Sequence, residues 1–130
     1  MMKLNNKGQT LVMFIVIIPI LISIMILVID LGSAFTKKQE LNNVNKLVIE
    51  YGLDNLDQEN LESDLTSYIT MNAKDLSNVK VTVENNTINV TTKAYIDGII
   101  SKALNIDGFE IVSEYHGYLS SEEKRIERVK

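Results

Sequence analysis

Three hydrophobic periodicities follow one another along the chain. From Leu11 to Ile29 nineteen consecutive residues carry no charge, fifteen of them Leu, Ile, Val or Phe, and Ser23 is the one hydroxyl. A helix of that length spans roughly 28 Å, about the thickness of a hydrocarbon core. Each Leu, Ile, Val or Phe near the centre of a bilayer contributes about −0.3 to −0.6 kcal/mol to insertion, so the summed drive outweighs Pro19 and Ser23. A soluble core helix apolar on every side would need a larger domain around it than this chain can supply. After Asp30 the apolar positions thin to Ala34, Leu41, Val44, Val48 and Tyr51, the spacing of one helix face. Gly52 is the expected stop, which predicts one helix from about Gly8 to Tyr51. A second helix is expected after a cap at Asn55 or Asp57, with Leu61, Leu65, Tyr68 and Ile69 on one face.

From Val79 the period changes to two. Val79, Val81 and Val83 alternate with polar residues, Asn85-Asn86 interrupts, and Ile88, Val90 and Thr92 alternate again, which predicts a β-hairpin with one buried face. Ile99, Ile100, Ala103 and Leu104 form a short apolar cluster with helical spacing. It reads as a helical turn packed on the sheet or, alternatively, as an exposed patch for a partner. A third strand is expected from Phe109 to Tyr118 with Phe109, Ile111 and Tyr115 inward. Ser120-Ser121-Glu122-Glu123 has capping-box spacing, so residues 120–130 are expected as a charged, solvent-exposed helical tail. Three strands with one apolar face need a cover, and the stripe on the long helix supplies it. The expected fold class is α+β, a long N-terminal helix packed on a small antiparallel sheet.

Composition narrows the functions. The chain has 130 residues and a formal charge of −4, and removing Lys3 and Lys7 leaves the rest more acidic, so nucleic acid is not an expected partner. No cysteine is present to supply a disulfide, a thiolate metal site or a cysteine nucleophile. His116 has no second histidine to complete a metal site, and the carboxylate pairs Glu122–Glu123 and Asp54–Asp57 fall in solvated stretches. No phosphate-binding loop, dinucleotide turn or nucleophile elbow occurs, so neither an enzyme, a cofactor nor a small-molecule substrate is expected. Asn85-Asn86-Thr87 and Asn89-Val90-Thr91 fit glycosylation acceptors, a short pattern common by chance in an Asn-rich chain. Lysine bias leaves the orientation open, because Lys3 and Lys7 on one side of the span face Lys37, Lys38 and Lys46 on the other. A rival reading is a secretory signal cleaved after Gly32-Ser33-Ala34, although the apolar run exceeds the usual length for one.

Gly8, Gln9, Val12, Met13 and Phe14, followed by Pro19 and then by Asp30 and Gly32 closing the apolar run, carry a resemblance. This pattern resembles the N-terminus of TadE/TadG-like proteins, pilin-like minor components of Flp (tight adherence) pilus systems. The resemblance implies a basic cytoplasmic leader (1–8), a transmembrane helix (9–31), an extracytoplasmic α+β domain (32–119) and a charged tail (120–130). It also implies processing by a prepilin peptidase between Gly8 and Gln9, and association with other pilus or secretion-machine subunits through the N-terminal helix. The family commonly has glutamate at the fifth position after the glycine, and Met13 stands there. That carboxylate is thought to pair with a neighbouring subunit's amine, so the chain either is not processed as a subunit or sits where no such pair is needed. The function expected is a minor pilin or pseudopilin in such a machine. The alternative is a stand-alone membrane-anchored binding module.

Overall fold

The structure is a computed structural model that describes residues 6–121 and 123–130. Lys3 of the basic leader and Glu122 of the capping-box spacing lie outside the described residues. Helix α1 runs from Asn6 to Asp54 as one unbroken element, with Pro19 inside it. At a helical rise its 49 residues extend over roughly 73 Å. Pro19 donates no backbone hydrogen bond, yet the helix continues on both sides, as spanning helices tolerate. The hydroxyls in this apolar half donate to their own helix, Ser23 to the Pro19 carbonyl at 2.8 Å and Thr10 to that of Asn6 at 2.7 Å.

Helix α2 (Leu61–Asn72) follows, then strands β1 (Leu76–Glu84) and β2 (Thr87–Ile96), the short helix α3 (Ile99–Ala103), and strands β3 (Phe109–Ser120) and β4 (Glu123–Arg128). The strands form an antiparallel meander in the order β1-β2-β3-β4. The β1–β2 turn is Asn85-Asn86, with Asn85 at φ 51°, a left-handed conformation that asparagine tolerates better than most residues. The fold is therefore α+β, as the periodicities predict.

Both longer helices lie on one face of the sheet. Leu41, Val44, Val48, Ile49 and Leu53 of α1 meet Leu61, Leu65 and Ile69 of α2 over Ile88, Val90, Ala94 and Tyr115. Fully burying one such side chain contributes about 1.5–3 kcal/mol, which fixes the outer half of α1 to the sheet.

Several expectations need correction. Gly52 does not end α1; it is buried in the helix, where a Cβ would lie 2.5 Å from Ile88 Cδ1. Its role is close approach of helix to sheet. Tyr51, counted on the stripe, is exposed, and Leu53 takes the buried position. Neither Asn55 nor Asp57 caps α2. Asn55 donates to the Tyr51 carbonyl at the end of α1, and the position before α2 is Asn60, left-handed and without a side-chain cap bond. Tyr68 faces outward, while Leu61, Leu65 and Ile69 are buried as expected. The third strand holds Tyr115 inward and Ile111 half-buried, but Phe109 is 47% exposed because β3 begins beyond the helix–sheet core. The tail is not a helix. Ser120 pairs with Glu123, and Ile126 of β4 pairs with Gly117 and packs on the core. Edge pairing to β3 overrides the local capping signal.

Candidate functional site

Two features stand out: the apolar half of α1, and the junction where that half meets the sheet. From Leu11 to Ile29 every residue except Ile26 is exposed. The most apolar stretch has a mean hydropathy of 3.4. A surface this large and this apolar is incompatible with water and matched to lipid. Gly8, Gln9, Val12, Met13 and Phe14 occupy the first turns, with Met13 and Phe14 pointing into the open, and Gly32 has open space where a Cβ would stand.

The residue that ends the apolar run behaves differently. Asp30 is only 4% exposed, and its carboxylate accepts hydrogen bonds from the backbone amides of Ile99 at 2.8 Å and Ile100 at 3.1 Å. Helix α3 starts after Gly98 with no side-chain cap of its own, so Asp30 satisfies amides that a local Ser, Thr or Asp would otherwise cap. Gly98 allows the approach, since a Cβ there would lie 2.6 Å from Asp30 Oδ2. One turn or two further on, adjacent lysines reach to opposite sides of α1. Lys37 donates to the Lys74 carbonyl beyond α2 and pairs with Glu40 at 3.3 Å, while Lys38 donates to the carbonyls of Val112 and Lys130. Burial, reinforced by Arg128, holds the Lys38 ammonium below the ordinary lysine range.

Ile99, Ile100, Ala103 and Leu104 are brought to this junction by Asp30, but the apolar side chains are not packed on the sheet as one reading expected. Ile99 is 44% and Leu104 is 64% exposed, while Ser101 is buried. His116 stands 3.2 Å from Glu127 and stacks on Tyr118, and Asp54 pairs with Lys124 at 2.5 Å. Among the described residues no group of three His, Asp or Glu side chains is placed to hold a metal ion. The clasp itself was beyond sequence reading. Its only local sign is a helix that begins with Gly98 and no capping side chain, and its partner lies about seventy residues away along the chain.

Asp30→Ala removes a charged acceptor from two amides, a change worth about 1.5–3 kcal/mol per charged bond. Amide hydrogen exchange at Ile99 and Ile100 is expected to accelerate about ten- to a hundred-fold, with exchange at Val90 unchanged. Unchanged protection at Ile99 and Ile100 would show that the clasp does not hold α3.

An uncovered apolar helix of spanning length, joined to a small sheet domain by a clasp at its polar end, defines an α+β protein with one candidate membrane span among the described residues. Residues 8–44 match the family described as TadE-like protein, so the family signature covers the anchor, the Asp30 clasp and the two lysines beyond it. No curated protein and no solved structure matches the chain.

Proposed function

We propose that this chain is a structural or assembly component of a Flp-type (tight adherence) pilus or a related secretion machine, acting as a minor pilin or pseudopilin. The observation that carries the reading is the coincidence of the TadE-like signature with the uncovered span: residues 8–44 begin at Gly8 and run through the exposed apolar helix into the stripe under the sheet. In this reading the leader up to Gly8 stays in the cytoplasm and the sheet domain lies on the other side of the membrane. The span holds the protein in the membrane and packs laterally against other subunits. Helix association in lipid relies on close packing and small polar contacts, and Pro19, Ser23 and Gly32 offer the points of closest approach. A prepilin peptidase cleaves between Gly8 and Gln9. Met13, where a carboxylate is common, places the chain where no neighbouring amine must be paired, such as the leading end of a fibre.

Fractionation combined with N-terminal mass mapping tests this reading. The expected result is protein in the membrane fraction, released by detergent and beginning at Gln9. A chain beginning intact at Met1 would remove the processing step. Soluble protein in the medium beginning at Phe35 would overturn the anchor and the assembly role together.

A further inference from the structure

We propose that the β2–β3 connection is a second membrane contact, in which Ile99, Leu104 and Ile106 seat in the interface of the same bilayer that α1 crosses. The inference rests on reading α1 as the span, and the position of α3 is what extends it. Asp30, the residue that closes the apolar run, holds the Ile99 and Ile100 amides by direct hydrogen bonds, so α3 sits at the level where α1 leaves lipid. Phe109 and Ile111 at the start of β3 line a mostly apolar notch of about 220 Å³ together with Leu27, Leu31 and Ala34 of α1, with Asp30 and Glu110 at its polar side. Leu27 lies roughly 4.5 Å inside the apolar run measured from Asp30. This end of the sheet therefore reaches the margin of the hydrocarbon.

The connection is turned inside out relative to a water-facing loop. Ser101 is 1% exposed, whereas Ile99, Leu104, Ile106 and Phe109 are 44%, 64%, 59% and 47% exposed. A loop in water would bury the isoleucines and leucine and expose the serine; at a lipid surface the observed arrangement is the favourable one. Backbone groups are also provided for, with the Leu104 amide donating to Ile100 and the Ile106 amide to Ser101. That is the condition for entering a medium poor in hydrogen-bond partners. The charges nearby are Asp97, Lys102, Asp107 and Glu110, three acidic against one basic. Attraction to anionic headgroups is therefore not the drive, and the contact is an apolar one made with lipid of any headgroup charge.

The chain has no cysteine, so single-cysteine variants of the full protein can each carry one environment-sensitive fluorophore in phosphatidylcholine vesicles. Leu104→Cys and Ile106→Cys report on the proposed contact, Ile22→Cys on the span, and Met71→Cys, at a residue 84% exposed on α2, on water. The expected result is blue-shifted emission at positions 104 and 106. That emission should be lost to nitroxides attached high on the lipid chains, with deeper nitroxides quenching position 22 and none quenching position 71. Adding phosphatidylglycerol should leave the signals unchanged. Water-like emission at 104 and 106 with position 22 still quenched would overturn the inference and leave the anchor standing. Blue-shifted but unquenched emission would also overturn it, because protein such as a second copy would then cover the patch. A signal that requires anionic lipid would overturn its apolar basis, and an unquenched position 22 would remove the span and the inference together.

Discussion

Gly117→Ala is expected to destabilise the sheet domain by about 2–3 kcal/mol, toward the upper end of what overpacking a core costs. Gly117 lies on the helix-facing side of β3, paired with Ile88 on one strand and Ile126 on the other. A Cβ there would stand 2.2 Å from Ile49 Cγ2, with Leu53 Cδ1 and the Arg125 carbonyl at 3.3 Å. Ile49 is fully buried, and its branched Cβ leaves one preferred rotamer in a helix, so the methyl has nowhere to rotate. The substitution must therefore lift α1 from the sheet. Intrinsic preference points the other way, since alanine is favoured over glycine within a strand by about 0.5–1 kcal/mol, and the packing term is the larger. Gly52→Ala makes the comparison sharper. Its new Cβ would meet Ile88 Cδ1 at 2.5 Å and Leu65 Cδ1 at 3.0 Å, the ends of side chains that can turn aside. The gain in helix propensity of about 1 kcal/mol offsets much of that contact, so the net change should stay within about 1 kcal/mol. Urea unfolding of both variants in detergent, followed by far-UV circular dichroism, measures the pair. Equal effects at the two glycines would show that rotamer freedom is not what separates them.

Why some of this was legible in the sequence, and some was not, follows from the range of the interactions. The span is a property of nineteen consecutive residues, and the β1–β2 hairpin of two alternating runs around Asn85-Asn86, so local pattern suffices for both. Strand β4 is different: within Glu123–Arg128 only Ile126 is apolar, and its partner Gly117 lies in another strand. A single buried residue cannot announce a period. The junction depended on still longer connections, with Asp30 reaching Ile99 and Lys38 reaching Val112. Sequence alone presents Asp30 as the polar end of a hydrophobic run. Only the fold shows it as a buried acceptor that holds the connection bearing Leu104 and Ile106 beside the end of the apolar run. In the same way Asn42 and Asn45 are polar residues between Leu41 and Val48, which no apolar period marks, yet both are buried and Asn45 is fully so.

Asn45→Leu, which keeps the branched shape, adds some bulk and removes the polarity, is expected to cost about 2–4 kcal/mol, an effect as large as that at Gly117. Asn45 is fully buried between α1 and the sheet, and its Nδ2 stands 3.1 Å from Thr92 Oγ1, 3.1 Å from the Ser113 carbonyl and 3.0 Å from Ser113 Oγ. Ser113 in turn donates to Asn42 Oδ1 at 2.6 Å. Leucine would leave the Thr92 and Ser113 oxygens buried without the amide they face. The triple change Asn45→Leu, Thr92→Val and Ser113→Ala removes the stranded hydroxyls but leaves the Ser113 carbonyl and takes the donor from Asn42 Oδ1, so only part of the lost stability should return. What should not return is the fixed seat of α1. Hydrophobic stripes slide past one another at small cost, whereas the Asn45 amide fits Thr92 of β2 and Ser113 of β3 in one register only. That register sets how far the sheet stands from Asp30, and with it whether α3 meets the membrane surface. The triple variant should therefore unfold at a urea concentration between those of the single variant and the native protein, and show broadened, multiple environments for a fluorophore at Leu104. A single sharp environment there would mean that apolar packing alone positions the helix, and that the buried amide has no part in aligning the domain with its anchor.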